Sequence, residues 1–333
     1  MLHRASALVA AVSLVAAVPA AAAAPADPAP YARLAALEAR VAAIGFRLTT
    51  ANAAWCPVQQ PQFGWIWGDP RLYDENRRAE ALAVYGAADR DVPFVAAIAP
   101  NSPAAAAGLR IGVAVVGMQG RGVPKGKDTH PFARITAIET ALVALPPSAP
   151  LALDTGDTSD TGARTLTPVA GCVSDFRVEA SEKAGAVADG RMVLVNVALA
   201  EFAEGDDELA AAIAHEVAHN ILRHRARLDA AGVDRGLGKQ FGRSARLFKQ
   251  TEIEADRLSV WLLAGAGYDP AAAARFWTAF GQRKGRPLVQ AGTHPGWRDR
   301  VASLNAEAAA IAAARASGQP LRPPLADAPP PLE

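Results

Sequence analysis

His215-Glu216-Val217-Ala218-His219 sets two imidazoles four residues apart, with a carboxylate directly after the first. Four residues is about one helical turn, so on a helix both rings leave the same face. Rings so placed can converge on one divalent cation, and zinc takes imidazole nitrogen at about 2.0–2.1 Å. Glu216 then points beside the cation rather than onto it, where it can take a proton from a bound water. The cation lowers the pKa of that water toward about 7, making hydroxide available at neutral pH. The chemistry in reach is hydrolysis by activated water with Glu216 as general base.

Such a centre needs a third protein ligand and an open position, commonly two His and one Glu. The segment Glu252-Ile253-Glu254-Ala255-Asp256-Arg257 offers two candidates. Glu252 follows His219 by 33 residues (252 − 219). Glu254 is the rival. The two lie about 200° apart around a helix, so only one can face the cation. Choosing Glu252 also puts Asp256, one turn on, on the same face as an acceptor for a ligand imidazole. His224, five residues past His219, leaves the ligand face of a continuous helix and reads as structural. His130 has no partner that the sequence names.

These residues need rigid elements. The spacing predicts a helix over 206–228: Asp206, Asp207 and Glu208 open it, and Leu209, Ala212, Ile213, Val217 and Ile221 form its apolar stripe. Further helices are expected at 31–50, 246–265, 270–283 and 297–316, the third capped by Asp269 with Pro270 at its first position. A Gly-rich, charged connector over 231–244 lets the chain return with Glu252. A strand over Met192–Val197 follows the turn Asp189-Gly190 and is a candidate for pairing with an extended substrate. Residues 55–75, rich in Trp, Pro and Gly, read as an irregular packed segment.

An ordered set of short motifs runs through this half of the chain. It comprises Ala186-Val187-Ala188-Asp189-Gly190, Asp207-Glu208-Leu209, His215-Glu216-x-x-His219, Glu252-x-x-Ala255-Asp256, Gly267-Tyr268-Asp269-Pro270, and Thr293-His294-Pro295 with Arg300. The set resembles the gluzincin metallopeptidases of the CAAX prenyl protease 1 and HtpX type. The resemblance implies one Zn²⁺ per chain held by His215, His219 and Glu252, with Asp256 behind them and polypeptides as substrates. It also places His294 near the cleft, as a transition-state stabiliser assisted by Arg300 or as a fourth ligand in a latent state. Envelope protein quality control is the role it suggests. The rival class is a proteolytically silent, zinc-bound chaperone or scaffold, for which the intact Glu216 has no use.

A second block, Val92–Gly122, resembles a PDZ domain over Ser102-Pro103-Ala104 to Ala107-Gly108-Leu109. It departs from that family at Val113, where Asp is usual. The expected fold is α+β: a mainly helical peptidase domain with a small β-rich PDZ-like domain. The divisions read from the sequence are a signal peptide at 1–24, the first peptidase helix at 31–56, the PDZ-like domain at 75–170, the peptidase domain at 171–316, and a Pro-rich disordered tail at 317–333.

The signal reading rests on Arg4, the apolar run Ala5–Val18, Pro19 and the small residues that follow. It implies export to a periplasm or beyond, with peripheral envelope association and no membrane span in the mature chain. In an oxidising compartment Cys56 and Cys172, the only cysteines, are expected to form a disulfide. With 34 Lys+Arg against 33 Asp+Glu over 333 residues, the chain lacks the basic footprint of a nucleic-acid binder.

Overall fold

The computed structural model describes residues 29–124, 130–156, 161–181, 183–233, 241–284, 292–326 and 329–333. The signal expected at 1–24 lies outside them. From the N-terminal side, α1 (Ala29–Ala51) leads into β1 (Gln59–Gln62), β2 (Trp65–Gly68), α2 (Arg78–Tyr85), β3 (Phe94–Ile98) and α3 (Pro103–Ala106). There follow β4 (Val115–Met118), β5 (Arg121–Gly122), α4 (Ala133–Val143), β6 (Leu151–Gly156), β7 (Thr161–Leu166) and β8 (Val169–Cys172). The chain continues through β9 (Asp175–Glu179), β10 (Ala186–Ala188), β11 (Met192–Asn196), α5 (Val197–Phe202) and α6 (Asp206–Ile221). It closes with α7 (His224–Ala230), α8 (Gly242–Gly265), α9 (Ala272–Lys284) and α10 (Trp297–Ala316).

Two apolar clusters organise these elements. In the larger, α1 buries Leu37, Val41, Ile44 and Leu48 on one stripe against Leu209 and Ile213 of α6 and Phe176 of β9. Leu258 and Leu262 of α8, Phe276 of α9 and Leu304 of α10 complete it. The smaller cluster joins Phe63, Trp67, Val95, Leu109, Ile135, Ile138, Leu151, Leu153 and Leu166. Its four-stranded antiparallel sheet has the order β5-β4-β6-β7, with α4 packed on it and β2-β3 alongside. Ser102 caps α3, its Oγ accepting from Ala105 N at 3.3 Å, and Pro103 opens that helix. Gly108 closes the turn with φ +68°. The smaller cluster reaches back to Phe63, ahead of the boundary expected at residue 75.

Cys56 follows α1, and Cys172 ends β8. These residues are disulfide-bonded, with their Cα atoms 5.3 Å apart. Beside the bridge, β1 pairs antiparallel with β8 in the register Gln59↔Cys172. Arg177 of β9 pairs with Glu139 of α4, fastening one cluster to the other.

Three expectations change. Residues 55–75 are not irregular throughout, since β1 and β2 form there by pairing with β8 and β3, partners far along the chain. The helix over 206–228 is not continuous. It ends at Ile221, Arg223 takes a left-handed conformation (φ 53°), and α7 starts at His224. The tail expected to be disordered at 317–333 makes defined contacts. Leu325 is buried, Arg227 donates to Pro330 O at 2.6 Å, and Gln250 donates to Pro331 O at 2.9 Å.

Candidate metal centre

α6 carries His215, Glu216 and His219, and its orientation is fixed at both ends. Asp206 accepts from Arg40 of α1 at 2.9 Å, and Asp207 accepts from Asp269 N at 3.2 Å. Near the other end, Asn220 Oδ1 accepts from Gly190 N at 2.9 Å, and its amide donates to Ser174 Oγ and to Arg191 O. Asn220 therefore ties the residue after His219 to the β10–β11 turn. Asp189 shapes that turn by accepting from Arg191 N and Met192 N.

α8 packs against α6 and brings Glu252 to the two imidazoles. His215 Nε2 and His219 Nε2 stand 3.2 Å apart. Glu252 Oε2 lies 3.3 Å from His215 Nε2, and Glu252 Oε1 lies 3.4 Å from His219 Nε2. Ligands on a tetrahedron of about 2.0–2.1 Å radius are separated by about 3.3–3.4 Å, and one donor atom from each of the three residues lies within 4.8 Å of the others, a group that could close on a metal ion. They are also the group suited to holding a metal among the described residues. Glu254, the rival, faces away from this cluster and bonds His224, Arg227 and Gln250.

The electrostatics follow from burial and neighbours. Burial works against a charged His215, yet hydrogen bonds to Asp256 and Glu252 outweigh it and raise its pKa to about 9. Burial holds His219 well below the usual range. Burial alone would raise Glu252, but His219 and His215 beside it keep its carboxyl well below the ordinary value. Burial pushes Glu216 up to about 7, with the hydrogen bond from the Ala188 backbone working the other way.

Asp256 is 1% exposed, and its Oδ1 lies 2.9 Å from His215 Nδ1. Its Oδ2 accepts from Arg300 Nε at 2.6 Å. The Arg300 guanidinium lies over the Trp277 ring, 3.4 Å from its centroid, and Arg300 Nη2 comes within 3.6 Å of Glu252 Oε2. His294 sits at the mouth of the site, its side chain 55% exposed and its Nε2 3.6 Å from Glu252 Oε2. Its Nδ1 is 2.9 Å from Thr293 Oγ1.

A cleft of about 360 Å³ opens on Glu216 and His215. Ala186, Val187 and Ala188 line one side, and Leu199, Ala212, Trp277 and Phe280 form an apolar wall. β11 is enclosed between β10 and β9, so it has no edge to offer a substrate; β10, which lines the cleft, is one of the two edge strands of that sheet. The structure thus brings together His215, Glu216, His219, Glu252, Asp256, His294 and Arg300, and leaves His130 far off in the sequence module of β4–β7, bonded to Phe132 N. Trp277 escaped the sequence reading, and His224, read as structural and off the ligand face, contacts His219 and Glu254. Trp277 belongs to an otherwise ordinary amphipathic helix, and His224 reaches the site only because the helix breaks at Arg223.

The family model of Peptidase family M48 matches residues 178–237. That stretch holds β10, β11, α6 and α7, and so His215, Glu216 and His219. The chain is 31% identical over 140 residues to the mitochondrial metalloendopeptidase OMA1 of Schizosaccharomyces pombe. The match covers 35% of this chain and 41% of that protein, less than half of either. The match to Peptidase family M48 thus falls on three of the residues gathered at the cleft, where the His-His-Glu cluster could hold a metal ion. No helix among the described residues is long and apolar enough to cross a membrane.

Proposed function

We propose that this protein is a zinc-dependent metalloendopeptidase that hydrolyses peptide bonds with Glu216 as general base. The observation that carries the reading is the convergence of His215 Nε2, His219 Nε2 and the Glu252 carboxylate, each oxygen within 3.4 Å of one imidazole, with Glu216 beside them on the cleft wall. Zn²⁺ held there supplies Lewis acidity toward the scissile carbonyl and toward water. Glu216 takes a proton from the attacking water and delivers it to the leaving amine. A backbone hydrogen bond at Ala188 works against the burial that raises the Glu216 carboxyl.

The edge strand β10 offers its backbone to an extended substrate, which favours unfolded segments over folded ones. The wall of Leu199, Ala212, Trp277 and Phe280 favours a bulky apolar residue beside the cleaved bond. Arg300 Nη2 and His294 Nε2 flank the Glu252 side of the cleft and are the donors for a developing oxyanion. His294 at the mouth equally suits a fourth ligand of a latent form.

The CAAX prenyl protease 1 and HtpX likeness and the PDZ-like character of the smaller cluster belong to this reading, as does a role in envelope quality control. Export is part of it as well. The residues at 1–24 have the pattern of a signal, and the Cys56–Cys172 bridge suits an oxidising compartment. The test is cleavage of an unfolded protein such as casein before and after chelation. Activity lost with chelator and restored by zinc supports the reading; activity indifferent to both contradicts it.

A further inference from the structure

We infer that His224 and Glu254 are positioning residues for the metal centre, forming a chain from His219 through His224 to Glu254 that fixes the tautomer and ring plane of His219. The inference rests on the reading of His215, His219 and Glu252 as metal ligands. Asp256 already serves His215 in this way, at 2.9 Å from its Nδ1. His219 has no carboxylate at its Nδ1. It has His224 Nδ1 instead, 2.8 Å away.

Proton bookkeeping along the chain has one solution. A ligand imidazole gives the cation its Nε2 lone pair, so the His219 proton sits on Nδ1. That N–H donates to His224 Nδ1, which must then be the acceptor. The His224 proton therefore sits on Nε2, which faces Glu254 Oε2 at 3.2 Å. A carboxylate only accepts, so the chain ends there with each atom satisfied. Arg227 donates to Glu254 at 2.5 and 3.3 Å, and Gln250 donates to it at 3.0 Å, which holds the anchor still.

The backbone is bent to make this possible. On an unbroken helix His224 would lie about 140° around from His219. Arg223 adopts φ 53°, a left-handed conformation that is unfavourable for a side-chain-bearing residue. The break turns His224 back under His219, where it is 2% exposed. A buried position that only needed filling would take an apolar side chain at less desolvation cost. Partners behind a ligand imidazole typically govern metal affinity by about 10–100-fold.

The test compares the full chain with His224→Phe, Glu254→Leu and Glu254→Gln, measuring zinc affinity by chelator competition and the visible spectrum of the cobalt form. His224→Phe and Glu254→Leu should each weaken zinc binding by about 10-fold or more and shift the cobalt spectrum. Glu254→Gln keeps an acceptor for His224 Nε2 and should recover most of the affinity. Should His224→Phe fail to fold, Glu254→Leu on the other helix reads the same chain. Zinc affinity within twofold of wild type and an unchanged cobalt spectrum in the folded variants would overturn the inference. A wild-type chain that binds zinc no better than Glu252→Ala would instead overturn the metal-centre reading itself, and this inference with it.

Discussion

Arg300 Nε donates a 2.6 Å hydrogen bond to Asp256 Oδ2, while the other oxygen of the same carboxylate faces His215 Nδ1. One buried aspartate thereby aligns a candidate metal ligand and a cleft guanidinium together. Asp256→Asn keeps the shape but removes the charge that both partners use. It is expected to weaken zinc binding by about 10–100-fold, read by chelator competition, with little change in the fold by circular dichroism.

Glu252 and Glu254 sit two residues apart with opposite assignments. Glu252→Ala removes the proposed third ligand and should abolish stoichiometric zinc in metal analysis of the purified protein. Glu254→Gln should retain it. Zinc retained by the first and lost by the second would reverse the assignment.

Much of this site was legible in the sequence because its geometry is local. His215, Glu216 and His219 share one helical turn, and the Glu252–Asp256 spacing repeats the device on a second helix. The break at Arg223 was not legible, since no Gly or Pro marks it. It is stabilised by what His224 gains at His219 and Glu254, contacts across two helices. β1 and β2 were missed for the same reason: their partners β8 and β3 supply the pairing from elsewhere in the chain. The tail was read from its prolines alone, whereas its contacts come from side chains of α7 and α8.

Cys56 and Cys172 tie the segment after α1 to the end of β8. Replacing both by serine should lower unfolding stability by about 2–5 kcal/mol in denaturant titrations.

Glu38 on α1 is buried and accepts from Tyr85 Oη at 2.8 Å. Burial raises its carboxyl from 4.5 to about 7, against the lowering effect of that hydrogen bond. The folded chain thus keeps a proton that the unfolded chain releases. This contribution to stability is full below about pH 4.5 and is lost as pH rises through about 7. Glu38→Gln should flatten stability against pH across that window and exceed wild type at pH 8 by about 1–3 kcal/mol. Any slope that remains belongs partly to Asp175, which burial and the nearby Glu139 also raise to about 7.

The central claim is that Glu216 moves the proton at a centre built by His215, His219 and Glu252. The most direct measurement is casein cleavage by wild type and by Glu216→Gln, with zinc quantified in both. About one zinc per chain in each protein, with cleavage by wild type alone, is the predicted result. Equal cleavage by the two proteins, with zinc bound in both, would contradict it.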